Sequence, residues 1–205
     1  MDRGVAQYVL LGAGLDTFAQ RRPEIAARLQ MFEVDRAAPQ VWKRRRLVEL
    51  GFGVPDGLRL VPVDFEAGES WWERLAEAGF DQARPAVVSS TGVSMYLTKE
   101  ANAATLRQLA SLAPGSTVVM TFMRPPELMD DEDRISFQFA ERGARASGTP
   151  FISFFAPPDL VALARDAGFP AAHHVSADVL NERFFAGRAD GLRTSNAEEL
   201  LVATT

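Results

Sequence analysis

A doubly wound α/β fold with a mostly parallel sheet is the fold class that three features of this 205-residue sequence predict. Five β-prone apolar runs alternate with segments of helical periodicity, and a Gly-x-Gly turn directly follows the first run. The last two β-prone runs have no crossover-length helix between them. Parallel neighbours need a crossover connection, usually made by a helix that packs on the sheet, and without one antiparallel pairing is favoured. The expectation is five parallel strands with helices on both faces and an antiparallel hairpin at the end.

Residues 5–11 (VAQYVLL) form the first strand and stop at Gly12. Residues 18–29 have helical potential that Pro23 interrupts, because proline fixes φ and lacks an N–H. Residues 30–35 (QMFEVD) are the second strand. Pro39 suits the first turn of the next helix, which runs through Leu50 and ends near Gly51. Residues 58–65 (LRLVPVDF) are the third strand, a helix follows over 70–78, and residues 86–93 (AVVSSTGV) are the fourth strand. Thr98 caps a helix with Leu106, Leu109 and Leu112 at helical spacing, closed by Pro114 and Gly115. Residues 116–123 (STVVMTFM) are the fifth strand. A polar excursion over 124–150 holds one helix, at 133–146. "PPDLVALARDAGF" is the next, with Leu160, Leu163, Ala164 and Ala167 on one face and Gly168 as its stop. A strand near 172–179, a short helical turn with a loop, and a strand at 199–205 complete a single domain covering residues 1–205.

Composition narrows the function classes. The content is 47% apolar and 24% charged, as in a soluble globular protein. A net charge of −5 gives no general attraction to nucleic acid or anionic membranes. The basic run Lys43–Arg46 fits a solvated helix face. There are no cysteines and only two histidines, which excludes disulfides and thiolate chemistry and leaves no metal site to expect. No signal peptide and no apolar run near the roughly 20 residues of a membrane span are visible. A cytoplasmic location is expected.

"LLGAGLDT" (residues 10–17) places Gly12 and Gly14 at the carboxyl end of the first strand, where doubly wound sheets bind ligands. Glycine allows positive φ and a close backbone approach. A dinucleotide turn has a third glycine where this chain has Thr17. S-adenosylmethionine has no phosphate, and its ribose diol needs a carboxylate at the end of strand two. Asp35 stands there, 21 residues after Gly14. Strand three ends in "VDF", so Asp64 can accept from an adenine amino group while Phe65 serves the ring through its backbone N–H. Each aspartate alone also fits a cap or turn. Together the three strand ends favour S-adenosylmethionine over a nicotinamide dinucleotide.

The ordered set "YVLLGAGLDT", "FEVD", "VDF", "STGVSMYLT", "TPFISFFAPPDLVALARDAGF" and "ERFFAGRADGLR" resembles the leucine carboxyl methyltransferase family, in its bacterial S-adenosylmethionine-dependent branch. The resemblance covers nearly the whole chain. It implies a Rossmann-like class I methyltransferase fold, a seven-stranded sheet in the order 3-2-1-4-5-7-6 with strand seven antiparallel. By position it assigns the cofactor turn to Gly12, Ala13 and Gly14, the ribose acid to Asp35 and the adenine contacts to Asp64 and Phe65. Many relatives have a glutamate at the end of strand four, in a motif like "EGLLMYL"; here "TGVSMYL" puts Thr91 in that place, so any contact from that carboxylate to the cofactor's ammonium is lost or replaced. Relatives also begin with a helical segment that covers the cofactor. This chain starts almost on the strand, keeping at most Arg3 from that region, which suits either a fragment or a more open site.

Methyl transfer from a sulfonium needs a positioned nucleophile and exclusion of water more than it needs a base. Ser94, Tyr96 and Arg124 are candidates for acceptor contact, each with a competing structural role. Alternation in a strand turns only one of His173 and His174 inward, and neither is assigned to catalysis. The apolar run 150–155 (PFISFF) fits core first and the wall of an acceptor pocket second. The expected acceptor is a small molecule methylated on a hydroxyl or carboxyl oxygen. A non-catalytic nucleotide-binding or scaffold domain is the alternative, with an NAD-dependent oxidoreductase behind it. The sequence fixes neither the oligomeric state nor a catalytic residue.

Overall fold

The computed structural model describes residues 4–64 and 67–205. Its seven strands form one sheet in the order β3-β2-β1-β4-β5-β7-β6. The strands are β1 Gln7–Leu11, β2 Gln30–Asp35, β3 Leu58–Pro62, β4 Ala86–Ser90, β5 Thr117–Met123, β6 Ala171–Val175 and β7 Glu198–Thr204. The helices are α1 Phe18–Arg21, α2 Pro23–Ala26, α3 Ala37–Glu49, α4 Trp71–Glu77, α5 Lys99–Ala110, α6 Asp131–Ala146, α7 Pro157–Asp166 and α8 Ala177–Phe184. Every expected strand is present. β3 and β4 end earlier than their apolar runs, which leaves Asp64 and Thr91 in the loops beyond the strands. None of the described helices is long and apolar enough to cross a membrane.

The chain gathers into two compact units. The first comprises Met1–Thr91 with Ser111–Val118 and Thr205. In it β1 pairs in parallel with β2 and β4, and β2 with β3. Pro23 divides the helical stretch after β1 into α1 and α2, as its missing N–H requires. Leu10, Ala13, Ala19, Ala26, Met31 and Leu58 form a buried cluster under these two short helices. On another side Phe32 meets Phe80 edge-on, and Ser70 caps α4 by accepting from the Glu73 N–H at 3.2 Å.

α3 departs from the sequence expectation. Its buried side chains are Gln40, Lys43 and Leu47. Lys43 is thus a buried partner of the equally buried Glu33 on β2, and only Arg44–Arg46 of the basic run face solvent. Gln40 donates to the Glu33 carbonyl at 2.7 Å and to the Val61 carbonyl at 3.3 Å, tying α3 to two strands at once.

The second unit comprises Gly92–Ala110 and Val119–Thr204. Thr98 caps α5 by accepting from Ala101 N–H at 3.1 Å. β6 and β7 pair antiparallel, as the connection between them, without a crossover-length helix, predicts. That connection does contain α8, opened by the Ser176 cap. Asp133, at the start of α6, is buried and accepts from both Arg193 terminal nitrogens (2.9 and 3.0 Å) and from Asn196 N–H (2.8 Å). Burial alone would raise this carboxyl, but the Arg193 and Asn196 hydrogen bonds and the guanidinium charge hold it below its ordinary value. A depressed carboxylate stabilises the fold above its ordinary pKa of 3.8, and that stabilisation is lost as pH falls through the depressed value. Asp133→Asn is therefore expected to cost about 1–2 kcal/mol at neutral pH. Thermal unfolding at stepped pH should show the gap to the unsubstituted protein closing below pH 3.8.

Candidate functional site

The carboxyl ends of the first unit's strands lie level. Leu11 is in register with Val34 and Ser90, and Val34 with Val61. Continuing one residue sets Gly12, Asp35, Pro62 and Thr91 in one row across the sheet. Val63 N–H donates to the Asp35 carbonyl at 2.9 Å, so the ladder continues past β3. Asp64 follows. With strands ~4.8 Å apart and a rise of ~3.3 Å per residue, its Cα lies on the order of 8 Å from that of Asp35.

Gly12 and Gly14 have φ of 67° and 50°, values that favour glycine. Their amides turn inward. Gly12 N–H and Ala13 N–H both donate to the Val34 carbonyl (2.9 and 3.2 Å), and Gly14 N–H donates to Asp35 Oδ2 at 2.6 Å. Arg36 N–H donates to the other oxygen, Oδ1, at 2.7 Å. The half-buried Asp35 carboxylate is thereby oriented by the turn on one side and the start of α3 on the other. Each oxygen retains acceptor capacity, since a carboxylate offers about four lone-pair sites. Ala13 buries its methyl in the cluster under α1, and its carbonyl accepts from Asp16 N–H at 2.9 Å. Its contribution is to shape the turn.

The first amide of α1, Phe18 N–H, donates to Asp16 Oδ1 at 2.7 Å. A carboxylate thus occupies the helix end that a pyrophosphate would use. Asp64 is exposed, and its Oδ1 accepts from Ala67 N–H at 3.0 Å while its own N–H donates to Glu69 Oε2 at 2.9 Å. That contact makes it a turn residue at the strand mouth. Thr91 is exposed beside Gly12. Phe65 lies outside the described residues, as does Arg3.

Below this row stands the buried pair Glu33–Lys43. Burial raises the Glu33 carboxyl, and the hydrogen bond and charge of Lys43 oppose the rise. Its Oε1 has no hydrogen-bond partner among the described residues. Tyr8, edge-on to Phe18 at 5.3 Å, has its phenol pushed up by burial against a hydrogen bond from Ser89. Sequence reasoning missed Gln40 and Lys43. The available signal was Glu33 itself, a charge flanked by apolar residues in a strand expected to be covered on both faces.

Three other candidates belong to the second unit. Ser94 is buried and donates to the Thr121 carbonyl at 2.8 Å, a structural role. Arg124 is held by Glu199 (3.3 Å) and by the Leu128 and Asn196 carbonyls, so its guanidinium is committed internally. Tyr96 is exposed, with its ring 5.5 Å from that of Phe151. In the 150–155 run Phe155 and Ser153 are buried while Ile152 is half exposed. His174 pairs through Nε2 with buried Glu199 at 2.7 Å and His173 faces outward, as alternation predicts. Among the described residues no cluster could hold a metal ion.

A family model described as leucine carboxyl methyltransferase matches residues 1–110. The putative S-adenosyl-L-methionine-dependent methyltransferase YktD of Bacillus subtilis is 36% identical over 190 residues, covering 92% of this chain. The chain spans 62% of that relative's length. A DUF574 family protein from Streptomyces avermitilis superposes with a TM-score of 0.68 over 100% of this chain and 77% of its own, at 17% identity. The magnesium protoporphyrin IX methyltransferase of Synechocystis with bound SAH (S-adenosylhomocysteine) gives 0.57 over 99% and 75%, at 12% identity. At such identities these two structures speak to the fold alone.

Proposed function

We propose, from the premise that the chain belongs to the leucine carboxyl methyltransferase family, that it binds S-adenosylmethionine at the row of strand ends and transfers a methyl group to an acceptor. The acceptor in this reading is a small molecule methylated on a hydroxyl or carboxyl oxygen. The observation that carries the cofactor reading is the direction of the turn's amides. Gly12, Ala13 and Gly14 N–H groups all serve oxygens of β2, and Asp16 occupies the start of α1. The turn therefore offers no anion nest, and a pyrophosphate there would meet two carboxylates. A phosphate-free nucleoside carrying a cation suits the same place.

When bound, the cofactor supplies an electrophilic methyl group on a sulfonium. The chain's own residues have the following parts. Asp35, oriented by Gly14 and Arg36, accepts from the ribose hydroxyls. Gly12 and Gly14 admit the nucleoside close to the backbone because no side chain stands there. Asp64 takes the adenine amino group and the Phe65 amide a ring nitrogen. Thr91, uncharged and level with Gly12, faces the amino-acid end with a hydroxyl where many relatives have a carboxylate. Acceleration in this scheme comes from holding the acceptor oxygen in line and excluding water, without an assigned base.

Titration calorimetry with S-adenosylmethionine, S-adenosylhomocysteine and NAD tests the reading. Saturable binding of both methionine nucleosides and none of NAD is expected. Binding of NAD alone would point to an oxidoreductase, and binding of none of the three by folded protein to a scaffold.

A further inference from the structure

α3 is built inside out. Two of its three buried side chains are polar, Gln40 and Lys43, while Val41, Trp42 and Val48 on the helix and Leu50 and Phe52 just beyond it are each more than half exposed. Trp42, Arg45, Arg46 and Glu49 line a groove of about 490 Å³ along the outer face. They follow one another at helical spacing, so they share that face. Phe52 is fixed there too, its N–H donating to the Leu47 carbonyl at 3.0 Å across the positive-φ Gly51.

We propose that this face is a homodimer interface, occupied by α3 of a second copy lying antiparallel across it. The charge pattern is self-complementary about an axis level with residue 47. Arg45 comes opposite the second copy's Glu49, and Trp42 comes opposite the turn that ends the second copy's α3, where Leu50 and Phe52 are exposed. Each pair occurs twice, as a two-fold axis requires. Arg45 and Glu49 already pair within one chain at 2.7 Å, so both ends are poised on the surface that meets. The exposed area of the five apolar side chains is on the order of 600 Å² per copy, against the roughly 800 Å² per partner of a standard interface. The Arg44, Arg45 and Arg46 stems supply the remainder. An apolar face of this size stands at the upper end of what a monomer exposes, and patches of that size are often functional.

Light scattering coupled to size exclusion tests the interface on the 205-residue chain. At tens of micromolar the mass should be about 45 kDa, twice the 22.4 kDa of one chain. Arg45→Glu and Glu49→Arg each place like charges opposite one another and should weaken the dimer at least about tenfold. Mixed in equal amounts, these two variants should form a heterodimer, since each supplies the charge that the other lacks. The double variant R45E/E49R should dimerise as well. Circular dichroism checks that each remains helical. A monomeric unsubstituted chain overturns the proposal, and so does a dimer indifferent to R45E. Failure of the two single variants to associate overturns the antiparallel register, and with it the proposal. A monomer that sediments with anionic vesicles would assign the face to a lipid surface instead.

Discussion

Lys43→Met is expected to destabilise the protein by about 3–5 kcal/mol, the usual cost of removing one partner from a buried ion pair. The size follows from the surroundings. Glu33 is fully buried on β2, and among the described residues its Oε1 has no hydrogen-bond partner and Lys43 is its only ion-pair partner. Without Lys43 the carboxylate keeps its desolvation cost and loses what offsets it. The loss should depend on pH. Burial raises the Glu33 carboxyl above its ordinary 4.5, and Lys43 opposes that rise. In the variant the opposition is gone. A raised acid stabilises the fold only while protonated, below its ordinary value, and that stability is lost as pH rises through the folded-state value. Urea unfolding of Lys43→Met should therefore show a larger deficit at pH 8 than at pH 5. Glu33→Leu combined with Lys43→Met removes both charges and should recover most of the stability, because well-packed apolar replacements of buried pairs are often neutral or better. A single variant as stable as the unsubstituted protein at both pH values would mean that the pair is solvated in solution.

The strands themselves and the carboxylate that the glycine turn reaches were legible because they depend on local signals, whereas the order of the strands in the sheet came from the family resemblance. Pro23 had to divide α1 from α2, "QMFEVD" is a strand ending at Asp35, and the glycine turn is short enough to reach that aspartate. The direction of the amides in the turn was not legible, since it depends on how β1 and β2 are registered. That register turns Gly12 and Ala13 toward the Val34 carbonyl. α3 misled for a similar reason. Its basic run reads as a solvated face, yet the helix is set over Glu33 and the carbonyls of β2 and β3, which demand donors. Gln40 and Lys43 supply them, and the apolar residues are turned outward. Arg124 was a candidate for acceptor contact by its position after β5, but its partner Glu199 lies 75 positions further along and no spacing rule connects the two.

Asp35→Ala should weaken S-adenosylhomocysteine binding by about 1.5–3 kcal/mol, the range for hydrogen bonds to a charged group. In affinity that is roughly ten- to a hundredfold. Two effects of the substitution need separating. The carboxylate accepts from Gly14 and Arg36 amides, so its loss also relaxes the turn and the start of α3. Melting without ligand measures that part, and about 1 kcal/mol is expected, because both amides are near enough to solvent to be rehydrated. Asp35→Asn divides the problem further. Its amide oxygen can still accept from one backbone N–H while the charge is gone, so its affinity should fall between those of the unsubstituted protein and the alanine variant. The ligand supplies the decisive comparison. An S-adenosylhomocysteine analogue lacking the 2′-hydroxyl should bind the unsubstituted protein less tightly than the parent does, and should bind Asp35→Ala about as tightly as the parent does. In such a cycle the coupling between side chain and hydroxyl is isolated from any general loosening of the turn. A coupling near zero, with both proteins folded, would move the ribose contact away from Asp35 whatever the alanine variant alone had lost.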